Sequence, residues 1–359
     1  MPESSGSAAT ANVTHTLMSR VWLVARIVIG VVLAYVVVRI VMANSAELSG
    51  SSEYLERSNA GWIALAVLAE ALSYLNFTLL QRHLLGAGGL RVGLRPLMAM
   101  SLAGNAMNNS LPGGGAFATV FAYRQFRRRG ADEALTTWTL VAFTALTAIT
   151  LAALSAIGLL VAGSDGPVGG LGPLIGLLLA GPALGIAVLL RPHLLVVVLT
   201  PLLRLSHRLV HFPRRDPAPA VSRMADRLRV VTPRLTDWIW GLGFASGNWV
   251  ADCCCLIFAF EAVGAAVPWR GLLVAYAAAQ VAANLPVTPG GLGVVEGSLT
   301  VALVAFGGST AETVAGVLLY RIVSFWLVLP MGWTAWAGLT LQARRHPVVA
   351  DSVASGALA

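Results

Sequence analysis

Lysine is missing from this 359-residue chain, and charge of either sign is scarce, at 11% of residues. A soluble domain carries about 25% charged residues, so an ordinary water-exposed surface is excluded. Cysteine is nearly absent as well, with three residues placed consecutively at Cys253, Cys254 and Cys255 inside an apolar run. Adjacent cysteines point to different sides of a helix. They build neither a tetrahedral metal site nor a disulfide framework, and read as small packing residues. The glycine runs lack a Gly-Lys-Ser/Thr and a preceding strand, which excludes a nucleotide loop. Neither HExxH nor GxSxG occurs. No metal and no cofactor is expected.

What the chain does have is apolar sequence in long blocks, 57% hydrophobic overall. Blocks such as 21–42 and 135–161 have the roughly 20-residue length that spans a hydrocarbon core, and they are too many for a soluble helical protein. The net charge of +8 would point to nucleic acid in a soluble protein. Here the arginines sit in short loops between apolar blocks, which is the positive-inside pattern, so no nucleic-acid partner is expected. Arginine without lysine, with much Ala, Gly and Val, points to a GC-rich bacterial genome and hence to a bacterial inner membrane. Residues 1–20 are polar and rich in Ser, Ala and Thr. The block from Val21 is longer than the core of a signal peptide, so an uncleaved first span is expected behind a disordered cytoplasmic tail.

Loop charge sorts the sides. Residues 43–60, with Glu47, Glu53 and Glu56 against Arg57, are expected outside, as is 163–170, which has Asp165 and no basic residue. Residues 81–95 and the run at Arg124, Arg127, Arg128 and Arg129 are expected inside, as is 204–234 with eight arginines and two aspartates. Arg344 and Arg345 close the chain inside, so both termini are cytoplasmic. Segment 96–123 is then apolar with both flanks inside, and it breaks at Asn108-Asn109-Ser110-Leu111-Pro112-Gly113-Gly114-Gly115. Segment 271–307 has both flanks outside and breaks at Asn284-Leu285-Pro286-Val287-Thr288-Pro289-Gly290-Gly291-Leu292-Gly293. Pro removes a helical hydrogen bond and Gly weakens a helix, so each segment is expected to enter and leave by one face.

The expected fold is therefore an all-α polytopic membrane protein. It has about six transmembrane helices (21–42, 61–81, 134–162, 171–191, 237–260 and 313–341) plus two re-entrant broken-helix hairpins. The first membrane repeat covers 21–162, with hairpin 96–123. The second covers 163–342, with the basic cytoplasmic linker 204–234 and hairpin 271–307, before a cytoplasmic tail at 343–359. Each half runs span, span, hairpin, span, and the halves have opposite orientation, an inverted-topology repeat as in many secondary transporters.

Breaks inside a membrane are tolerated where protein or a water-filled cavity satisfies the freed backbone. A new half-helix is expected to start near Phe117 and another near Val294, each offering free N–H groups and partial positive charge to a phosphate or carboxylate. The expected substrate seat comprises Asn105, Asn108, Asn109, Pro112, Gly113 and Gly114 at the first break. At the second it comprises Asn284, Pro289, Gly290, Gly291 and Gly293, with Glu296 and Arg321 forming a buried pair at one depth. Plain helix packing around Gly and Pro is the bland alternative. Glu70 and Asp252 are further intramembrane ionisable residues, which are costly unless functional or paired. Arg26 and Arg39 snorkel, and the GxxxG at Gly243 and Gly247 reads as a close helix contact.

Asn284-Leu285-Pro286, Pro289-Gly290-Gly291-Leu292-Gly293, Glu296, Tyr320-Arg321 and Trp326 together resemble the signature of the lysylphosphatidylglycerol-synthase transmembrane region, also the flippase-like or UPF0104 membrane-protein group. The basic run from Arg124 to Arg129 followed by Gly130 also fits. Where many members carry Arg and Glu after the first Pro-Gly, this chain has Gly114, Gly115, Ala116 and Phe117. The resemblance implies a lipid-translocating module without the soluble aminoacyltransferase domain of bifunctional members, hence a transporter and not an enzyme. The expected partners are membrane lipids or a lipid-linked substrate: aminoacylated phosphatidylglycerol, another headgroup or a polyprenyl-phosphate carrier. A scaffold or regulatory subunit of envelope assembly, and a membrane-embedded lipid-modifying enzyme, are the competing readings.

Overall fold

A computed structural model describes residues 57–111, 113–163, 222, 233–283 and 288–345. The expected spans 21–42 and 171–191, Arg26 and Arg39, nearly all of the linker 204–234, and the site residues Pro112 and Asn284 lie outside the described residues. Helix α1 (Ala60–Ala87) starts where the Asn59 side chain accepts a hydrogen bond from the Gly61 N–H at 2.8 Å. Helices α2 (Leu94–Ser110) and α3 (Gly114–Arg128) follow. Helix α4 (Glu133–Ala162) is capped by Asp132, which accepts from Leu135 N at 2.7 Å, and has Glu133 in its first turn, where negative charge suits the helix dipole. Helix α5 (Leu235–Ala262) opens with Asp237 accepting from the Arg234 N–H at 2.7 Å. Helices α6 (Trp269–Ala283), α7 (Val294–Ala305), α8 (Thr310–Arg321) and α9 (Val328–Arg345) complete the described chain.

Among the described residues, four helical stretches are long and apolar enough to cross a membrane: Ala60–Ala87, Glu133–Ala162, Leu235–Ala262 and Thr310–Gln342. They coincide with the expected spans 61–81, 134–162, 237–260 and 313–341. Half or less of each apolar window is buried against protein. Outward faces carry side chains such as Leu160, 81% exposed, and Val301, 73% exposed. Apolar surface on that scale marks a lipid-facing protein.

Helices α1 and α5 run antiparallel along one another. At one end the Asn59 N–H donates to the Ala262 carbonyl at 2.8 Å, and at the other His83 Nε2 lies 3.0 Å from the Asp237 carbonyl oxygen. Midway, Ser73 Oγ donates to Asn248 Oδ1 at 3.1 Å. The packed stripe of α5 is Gly241, Ala245, Asn248 and Asp252, all buried, at the 4-3-4 spacing of one helix face. A Cβ at Gly247 would come within 2.7 Å of Asn76 Oδ1, whereas one at Gly243 would meet nothing within 4 Å. The close contact expected of the GxxxG thus belongs to Gly247 alone.

Both apolar segments with glycine-rich interruptions form pairs of half-length helices. Helices α2 and α3 pack on each other, as do α6 and α7. At the open end of the first pair Gly130 lies beside Leu90, next to the end of α1. At the open end of the second, Gly271 presses against the Phe306 ring, on the side where α5 ends. The first break turns at Gly113, φ 68°; the second at Gly290, φ 62°, Gly291, φ 66°, and Gly293, φ 79°. L side chains rarely adopt these angles. Helix α3 begins at Gly114, earlier than the expected start near Phe117. Gly114 takes up helical backbone hard against the carbonyls of Met107 and Asn108, an approach that only a residue without Cβ allows.

The last apolar segment, expected as one span over 313–341, contains a π turn at Ile322–Trp326 between α8 and α9, closed by Leu327 N donating to Ile322 O at 2.9 Å. Pro330 brings no N–H for the carbonyl one turn earlier, so regular α-helical bonding lapses there. Single π turns of this kind recur at functional sites.

Candidate functional site

The tips of the two broken hairpins touch. A Cβ on Gly290 would lie 2.9 Å from the Asn109 carbonyl oxygen and would collide with the Phe325 ring. Arg321, at the end of α8 and just before the π turn, closes this junction. Its Nε lies 2.6 Å from Glu296 Oε1, its terminal nitrogen donates to the Gly290 carbonyl at 3.0 Å, and its guanidinium carbon stands 4.3 Å from the centre of the Phe325 ring. Burial leaves the Arg321 side chain 9% and the Glu296 side chain 21% exposed, so water screens the pair weakly. The second oxygen of Glu296 accepts from the Gly293 N–H at 2.6 Å. The start of α7, expected to offer its donors to a ligand, is therefore capped by the protein's own carboxylate.

On the first hairpin, Asn105 and Asn109, one turn apart near the end of α2, are bonded through Asn109 Nδ2 and Asn105 Oδ1, and Asn108 Nδ2 donates to Asn109 Oδ1 at 3.2 Å. Ser110 is tied to α9 by Trp333 Nε1 at 3.1 Å. Among the described residues, no side chain caps α3.

Asp252 and Glu70 lie together in a second polar cluster. Asp252 on α5 accepts three hydrogen bonds: from the Tyr276 hydroxyl at 2.6 Å and Gln280 Nε2 at 2.8 Å on Oδ2, and from the Tyr320 hydroxyl at 3.0 Å on Oδ1. Glu70 on α1 stands beside Asp252 and Cys255, and its buried Oε2 has no hydrogen-bond partner among the described residues. Tyr320 precedes Arg321, so α8 carries one residue into each cluster. Tyr74, one turn after Glu70, stands near both the carboxyls and Asn105 of the first hairpin.

The fold thus gathers Asn105, Asn109, Gly290, Glu296 and Arg321 around the tip contact. Gly113 and Gly114 turn the first break, while Pro289, Gly291 and Gly293 shape the second. Tyr74, Tyr276, Gln280 and Phe325 were not singled out from the sequence. A sign was present for two of them: Tyr276 and Gln280 are four apart in an apolar helix, hence on one face. Cys253 and Cys255 are buried and Cys254 is half-buried, as small packing residues.

Apolar outer faces around broken, internally bonded hairpins define a polytopic helical membrane protein whose polar groups are turned inward. The chain belongs to the family described as the lysylphosphatidylglycerol synthase TM region, whose model matches residues 23–332. It is similar to a UPF0104 membrane protein of the archaeon Methanothermobacter thermautotrophicus, 24% identical over 334 residues that cover 86% of this chain and 93% of that protein. A second match of the same description and organism is 32% identical over 87 residues, 24% of this chain and 25% of that protein.

Proposed function

We propose that the chain is a transporter that moves a phosphate-bearing lipid, or a lipid-linked molecule of the polyprenyl-phosphate type, across the plasma membrane of a bacterium. The observation that carries this reading is Arg321 at the contact of the two hairpin tips. A guanidinium has five donors in a planar fork suited to phosphate, and the bonds to Glu296 and Gly290 engage two of them. The asparagines beside it supply further donors and acceptors. The start of α3, uncapped by any side chain among the described residues, favours an anion through its N–H groups and dipole. Since Glu296 occupies the start of α7, the headgroup seat lies between Arg321 and the start of α3, with acyl or prenyl chains left in lipid.

In this reading the two hairpins are re-entrant and belong to an inverted repeat. Support comes from their open ends, one beside the end of α1 and the other beside the end of α5, and from tips that meet between them. The basic loops and both chain ends then face the cytoplasm. The name of the matched family supplies the lipid class, with aminoacylated phosphatidylglycerol one candidate among phosphate-bearing headgroups.

The test is purified chain in lipid vesicles with a headgroup-labelled phospholipid, quenched from outside. Wild type should expose inner-leaflet label faster than empty vesicles. Arg321→Ala should slow this by about tenfold or more, since a lost hydrogen bond to a charged group is worth ~1.5–3 kcal/mol. A wild-type rate equal to that of empty vesicles would favour the scaffold reading, and covalently altered lipid by mass spectrometry would favour an enzyme.

A further inference from the structure

We infer that Glu70 and Asp252 form a proton-binding pair inside the membrane domain, and that lipid movement is coupled to the proton it exchanges. The coupling rests on the transport reading; the proton site does not. The two carboxyls come from different long helices that pack along one another, are 7% and 9% exposed, and stand side by side. Two like charges in contact away from water do not both ionise. The donors divide unequally. Asp252 has three, from Tyr276, Gln280 and Tyr320, which suits the ionised form. Glu70 has the buried Oε2 without a partner among the described residues, which suits the protonated one. Hence the pair holds one proton, with Glu70 as its seat.

Among the described residues, the titratable and charged groups that face the pair are Tyr74 on α1, Cys253 and Cys255 on α5, Tyr276 on α6, and Tyr320 and Arg321 on α8. Arg321 is the only cation in that set, and it is also the proposed phosphate ligand. When a headgroup engages Arg321, less of its positive charge is left to hold the pair's negative charge, and the pair takes up a proton. When the headgroup leaves, the proton is released. Intramembrane carboxyls of this kind serve as proton relays in pumps and transporters.

Infrared difference spectroscopy on the purified full chain reads the proton directly. Wild type should show a protonated-carboxyl C=O band that shifts in deuterated water, disappears as pH is raised and is absent in Glu70→Gln. Glu70→Asp, which keeps a carboxyl, should retain a displaced band and controls for misfolding. Absence of the band in wild type, or its persistence in both Glu70→Gln and Asp252→Asn, overturns the proton site. In vesicles carrying labelled phospholipid, an imposed pH gradient should change the wild-type translocation rate several-fold and leave the rate of Glu70→Gln unchanged by its direction. Lipid movement that ignores the gradient overturns the coupling and leaves the transport reading standing. A wild-type band with no lipid movement overturns the transport reading, and the coupling with it, while supporting the proton site.

Discussion

Gly290 and Asn109 meet backbone to backbone: the position of a Cβ on Gly290 is 2.9 Å from the Asn109 carbonyl oxygen. This contact joins two breaks that are far apart in sequence, and it leaves no space for a side chain. At φ 62° any other residue costs about 1–3 kcal/mol in backbone strain alone. Gly290→Leu should therefore abolish lipid translocation while the four long helices remain inserted, read by resistance to alkaline extraction. A Gly290→Leu protein that moves lipid at the wild-type rate removes the tip contact from the mechanism.

The Arg321–Glu296 pair predicts an asymmetry. Removing one partner of a buried ion pair leaves the other uncompensated, at about 3–5 kcal/mol. Arg321→Ala also loses the bond to the Gly290 carbonyl and the contact with Phe325, whereas Glu296→Gln keeps a side chain able to cap Gly293. Thermal stability in detergent should fall further for Arg321→Ala. The double exchange, Glu296→Arg with Arg321→Glu, should recover only part of the loss, because neither backbone bond is re-formed. Equal stability of wild type and both single variants would remove the pair.

Helix α9 crosses α2 at Gly332, where a Cβ would lie 2.6 Å from that of Ala106 and closer still to the Leu102 carbonyl. Gly338, in the same helix, has nothing within 4 Å of such a Cβ. Gly332→Leu should destabilise by about 1–3 kcal/mol through overpacking, and Gly338→Leu should be near neutral. Melting temperatures of the two variants check this, and equal values would contradict the crossing.

The re-entrant reading predicts sidedness. Single cysteines introduced in 124–129 and 204–234 should react with an impermeant reagent only from the cytoplasmic side, and those in 43–60 only from outside. The native Cys253, Cys254 and Cys255 are buried or half-buried in α5 and provide a low background. Labelling of 124–129 from outside would turn the first hairpin into a full crossing.

Much of the fold was legible because the bilayer restricts what a chain can do. Apolar length, arginine placement and glycine-rich interruptions each report a local constraint, and so marked 61–81, 134–162 and 237–260, as well as both breaks. The interruption at Ile322–Trp326 was harder to see. Pro330 disturbs bonding one turn upstream, so the proline does not lie at the place where the helix changes.

By itself, the sequence determined that the protein is helical, lies in a membrane, and breaks at Gly113 and again at Gly290 to Gly293, since hydropathy and left-handed backbone are properties of short stretches. Arg321 and Glu296 were legible as a pair because charge in an apolar run needs a partner. Only the tertiary structure decided that Glu296 caps its own helix, that the hairpin tips meet at Gly290 and Asn109, and that Glu70 joins Asp252 amid Tyr276, Gln280 and Tyr320. Those contacts link residues up to about 180 positions apart, and no local propensity records which helix faces turn toward each other; packing of α1, α5, α6 and α8 settles that together.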